Sequence, residues 1–119
     1  TTYLDPVSVY SGYNWNFGLN NFGSCADFSD AYINTDDNVP GSNQAISNSY
    51  TFDVTKRNPS KSNKQAAHVW PTKFYIEAVK SKQVPVYFND RAFNWQKLEK
   101  NKLYQWEKKT LPPLNTFVN

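Results

Sequence analysis

The chain has 119 residues, with 13 Lys and Arg against 10 Asp and Glu, one Cys, one His and no Met. That is one domain's length, and 17% aromatic residues can fill its core. A lone cysteine excludes an intrachain disulfide framework, and one Cys with one His excludes a zinc site built from those two types. No stretch approaches the ~20 apolar residues of a membrane span.

In segment 1–23, Tyr3, Val7 and Val9 suggest short strands, with turns at Asp5-Pro6 and Ser11-Gly12. In 24–33, Ser24 is a candidate cap for a short helix carrying Phe28 and Tyr32. Cys25 within it reads as a small buried residue. Residues 34–48 are a loop by composition. The segment 49–55 alternates Tyr50, Phe52 and Val54 with Ser49, Thr51 and Asp53, the pattern of a strand with one wet face. A basic exposed loop spans 56–66. Strands are expected at 73–79, from Phe74 and Ile76, and at 84–88, an edge strand because Pro85 cannot donate to a ladder. The tail 111–119 is extended by Pro112-Pro113.

The strip 91–109 mixes aromatics and lysines. As a helix capped by Asp90 it places Ala92, Trp95, Leu103 and Trp106 on one face, flawed by Glu99. As a hairpin it would turn at residues 100–102. Helix is preferred, with the rings inward. If the strip instead faces a ligand, Arg91, Trp95, Lys97, Lys100, Lys102, Tyr104 and Trp106 form the binding surface. The expected architecture is mainly β, with α+β as the alternative: a small single-domain antiparallel sheet or sandwich plus one C-terminal helix around 91–109.

Charge is divided along the chain. Six aspartates precede Lys56, the first basic residue. All thirteen Lys and Arg follow, against four acids, so the halves carry about −6 and +9. The division suits a polyanionic partner or head-to-tail packing of copies. Alternatively the halves interleave and neutralise each other.

Chemistry-bearing residues are few. His68, with Glu77 and Lys73, is a candidate for acid–base work on a polyanion. The acidic cluster Asp30, Asp36 and Asp37, with Asn34 and Asn38, offers hard oxygens for a cation, though not at EF-hand spacing. Arg is scarce beside Lys, two against eleven, so sequence-specific nucleic-acid reading is not expected. Fifteen asparagines and twenty aromatics also fit a carbohydrate surface. No cofactor is expected. The leading expectation is a non-enzymatic binding or assembly protein working by its surface, as an extracellular module or a viral or particle coat or attachment protein. Its partner would be protein, a second copy, a polyanion or a carbohydrate. The absence of an initial Met suggests a processed chain, placed outside the cell or on a particle. The alternative is a small secreted hydrolase of ribonuclease type using His68.

Overall fold

The computed structural model describes residues 1–8, 13–39, 43–59, 64–80 and 98–106. The elements run β1 (Thr2–Leu4), α1 (Phe17–Asn21), β2 (Asp30–Ile33), β3 (Tyr50–Asp53), a 3-10 turn at Thr55–Arg57, α2 (Lys64–Lys80) and β4 (Leu103–Gln105). The strands form one sheet in the order β1-β2-β3-β4, and every pairing is parallel. This corrects the expected antiparallel, mainly-β architecture. Parallel neighbours require crossovers, and residues 73–79 supply part of one as helix rather than strand.

The reason lies in which residues α2 buries. Ala67, Pro71, Phe74 and Ala78 are buried, while Val69 and Ile76 stay nearly half exposed. Spacings of four, three and four are helical. The short alternation around Phe74 and Ile76 mimicked a strand only locally. Phe74 and Ala78 cover one face of the sheet, where the register aligns Leu4, Tyr32, Phe52 and Tyr104 in one row across all four strands. Trp106 meets Phe52 and Phe74 edge-on, at centroid distances of 5.6 and 5.3 Å. The opposite face packs Ala31 against Leu19 of α1 and Ile46.

Coverage on both sides also corrects the half-wet reading of 49–55. Thr51 and Asp53 are as buried as Phe52, because their polar atoms are consumed internally. Ile46 N donates to Thr51 Oγ1, and Asp53 collects several donors at the strand's end. Residues 24–29 are turn and bend leading into β2 at Asp30–Ile33, with no helix there, and Cys25 is exposed.

A helix through 91–109 fails over its described part. Lys100 and Asn101 form a turn with Asn101 at φ 63, a left-handed conformation asparagine tolerates. The chain then enters β4, and Trp106 N donates to Asp53 O. Pairing with a distant strand outweighs local helix propensity here. The remainder of that strip, the strand expected at 84–88 and the tail 111–119 lie outside the described residues. Of the expected basic loop 56–66, residues 56 and 57 are in the 3-10 turn and 64–66 already belong to α2.

Gly23 sits at φ 83, and a Cβ there would stand 2.7 Å from both Ser29 Oγ and Ser49 Oγ. Those hydroxyls share a buried hydrogen bond of 2.6 Å that ties the entries of β2 and β3. Gly23→Ala is expected to cost about 2–3 kcal/mol from backbone strain plus overpacking, read as a lowered urea midpoint with an unchanged slope.

Candidate functional site

In an all-parallel sheet the carboxyl ends of the strands share one edge, where open α/β sheets hold their ligands. Here that edge gathers the polar groups of four strands. Asp5 follows β1, Asn34 to Asp37 follow β2, Asp53 and Thr55 close β3, and Gln105 ends β4.

His68 comes to the same edge from the first half of α2. Its Nδ1 lies 2.8 Å from Asp5 Oδ2 and 2.6 Å from Asp37 Oδ2. Both acids are buried, while the imidazole is partly exposed. Each carboxylate is aimed by a backbone amide on its other oxygen. Asn34 N donates to Asp5 Oδ1 at 3.0 Å, and Val39 N donates to Asp37 Oδ1 at 3.1 Å. Asp5 holds φ 48, a sparsely populated conformation for a side-chain-bearing residue, and its own N donates to Tyr32 O.

A proline helps fix this arrangement. Pro71 lies inside α2 and has no N–H to give the carbonyl four residues back. That carbonyl, Ala67 O, instead accepts from Asn34 Nδ2 at 3.0 Å. Asn34 is fully buried, and its Oδ1 accepts from Asp36 N. One side chain therefore bolts the helical turn beside His68 to the loop bearing Asp37, while its backbone N–H holds Asp5.

The electrostatics follow from proximity and burial. Burial, with the neighbouring Asp37, pushes Asp5 up to about 8. Burial opposes ionisation of Asp37 too, but hydrogen bonds from Asp5, the Val39 amide and His68 hold it below the usual carboxylate value. Burial would lower His68, yet its bonds to Asp37 and Asp5 raise it. A single Nδ1–H cannot point at both oxygens. The Asp5 proton and the Nδ1–H thus link three ligand-type atoms that lie within 4.8 Å of one another.

No protein-family model, curated protein or solved structure matches this chain. The site's own geometry therefore carries the functional argument.

Of the residues picked out from sequence, Asp37 and His68 meet here, 31 positions apart. Asp30 sits further back on β2, buried and accepting hydrogen bonds from Thr2 Oγ1 and Tyr32 OH, and burial raises it. Asp36 is exposed and helps line a separate cleft of about 540 Å³ with Thr35, Asp53, Thr55, Lys56 and Gln105. Glu77, nine residues beyond His68, falls on roughly the opposite side of α2 and pairs with Lys80. Lys73 is exposed, well around the helix from His68. Neither joins the histidine.

Trp106 and Tyr104 are buried core residues, whereas Lys100 and Lys102 are exposed. Arg91, Trp95 and Lys97 lie outside the described residues. Asp5 was missed. Its signal was an aspartate directly after the short apolar run Tyr3-Leu4, which reads equally well as the Asp-Pro turn. Among the described residues no helix is long and apolar enough to cross a membrane.

Proposed function

We propose that the chain is a hydrolase whose reacting edge is organised by a divalent cation held by Asp5, Asp37 and His68. The observation that carries this is the convergence of Asp5 Oδ2, Asp37 Oδ2 and His68 Nδ1 at 2.6–2.8 Å, with both carboxylates oriented from behind by backbone amides. Such supporting hydrogen bonds are how proteins aim metal ligands. Three protein ligands leave coordination positions open, as catalytic sites do and closed structural sites do not. Two oxygens and an imidazole nitrogen suit Mn²⁺, Fe²⁺ or Zn²⁺ better than Ca²⁺. Excluding zinc on cysteine and histidine alone left carboxylate ligands out of account. Such a cation, when bound, acidifies a coordinated water and polarises a substrate oxygen. The chain's own part is to set the ligands, with Asn34 holding loop and helix in register.

The test is cation binding by protein stripped with a chelator. At 1 mM, Mn²⁺ or Zn²⁺ is expected to raise Tm by roughly 5–10 °C, the scale set by mass action at about a hundredfold excess over Kd. His68→Gln and Asp37→Asn should each remove most of that rise. If Mn²⁺, Zn²⁺, Fe²⁺ and Mg²⁺ all leave Tm unchanged in the parent protein, the cation centre is wrong. A second reading, action through the surface alone, is favoured by a different observation: Tyr13 and Trp15 stand exposed at 78% and 55%.

A further inference from the structure

The chain between β1 and β2 contains no charged side chain from Pro6 to Ala26. Within it, Tyr13-Asn14-Trp15-Asn16-Phe17 alternates rings with amides. Tyr13 and Trp15 are exposed, as are Asn14 and Asn16, and Phe17 is 37% exposed. Large rings normally bury most of their surface, so Tyr13 and Trp15, left exposed two residues apart, need a reason.

The backbone that carries Trp15 is held in place. Ser8 is buried, its Oγ donates to Trp15 O at 2.7 Å, and Leu19 N donates to the same Oγ at 3.0 Å. Gly18 N donates to Ser8 O at 2.8 Å. The approach there is so close that a Cβ on Gly18 would come within 2.8 Å of Ser8 Cα. Ser8 therefore pins Trp15 and the first residues of α1 together. The segment follows Asp5, so it leaves the sheet at the edge that carries His68.

We propose that Tyr13 and Trp15 form a stacking platform for an uncharged oligosaccharide, the substrate class of the proposed hydrolase. Flat ring faces pack against the C–H faces of pyranose rings, and primary amides both donate to and accept from hydroxyls. A polyanion is disfavoured, because 21 consecutive residues offer it no cation. Only the ligand's role as substrate rests on the hydrolase reading; its binding does not.

Calorimetric titration with cellohexaose, chitohexaose, xylohexaose and maltohexaose tests this. At least one should bind saturably. Trp15→Ala should weaken it about tenfold or more, the scale of removing one stacked ring, while Trp15→Phe keeps most of the affinity. Far-UV circular dichroism checks that both variants remain folded. Glycan titration in chelator, set beside the Tm shift that Mn²⁺ gives the same protein, separates this site from the cation centre. Glycan binding without cation binding would uphold the platform and overturn the hydrolase. Failure of all four glycans, affinity indifferent to Trp15→Ala, or Trp15-dependent binding to phosphatidylcholine vesicles in place of glycans would overturn the platform.

Discussion

Cation-free protein loses stability as the pH is raised from about 4 towards about 8. The folded state holds the Asp5 proton up to about 8, against 3.8 for the ordinary carboxyl. Between those values the folded chain binds more protons than the unfolded chain, so raising the pH works against folding. Asp30, also raised by burial, acts in the same direction. His68 is raised above 6.5, so its contribution is full below that value and is lost as pH passes its folded pKa. Asp37, held low, stabilises above its ordinary value and loses that contribution only in acid. The slope can approach ~1.4 kcal/mol per pH unit for each proton released. Urea titrations from pH 4.5 to 8.5 in chelator measure it. Asp5→Asn, a neutral isostere, should flatten most of it. Saturating Mn²⁺ or Zn²⁺ should flatten or invert it, because a cation takes the ligands in their deprotonated form. Stability that climbs over this window without cation would contradict the assignment of the shared proton to Asp5.

Phe52→Ala should destabilise the fold by about 3–5 kcal/mol, the usual cost of emptying a fully buried aromatic site. Phe52 is 0% exposed at the centre of the four-strand row, stacked on Tyr32 at 5.4 Å and edge-on to Trp106. That loss is a large share of the 5–15 kcal/mol available to a domain. Phe74→Ala should be comparably costly. Ile76→Ala, two residues on, should stay within about 0.5 kcal/mol, because Ile76 is 47% exposed. The contrast discriminates between architectures: in a strand Phe74 and Ile76 would share a face and both would matter. Chemical denaturation of the three variants gives the answer directly.

Much of this was legible only in part from the residues. β3 could be placed, because Tyr50, Phe52 and Val54 alternate cleanly, but its polar partners looked wet. Thr51 and Asp53 are buried because the loop after β2 and the end of β4 bring donors to them, and no local pattern announces a distant donor. The helical period of α2 was hidden by Pro71, which breaks a helix on local rules, and by a burial stripe that includes two alanines. Seeing that Asn34 replaces the missing donor requires the fold. His68 and Asp37 were both noticed, yet sequence supplied no reason to pair them, nor to add Asp5 rather than Asp30.

The division of charge along the chain has a different meaning once the aspartates are located. Asp5, Asp30, Asp37 and Asp53 are buried, leaving Asp27 and Asp36 exposed. Lys56, Lys73, Lys80, Lys100 and Lys102 are exposed. Four of the six aspartates of the first half are folded inward, so its formal −6 is not displayed as an acidic face. Glu77 and Glu99 are exposed as well and pair with Lys80 and Lys102, so among the described residues five exposed lysines face four exposed acids. Over the described surface the charges therefore nearly cancel, and retention on a cation exchanger at neutral pH should be no stronger than the formal +3 gives.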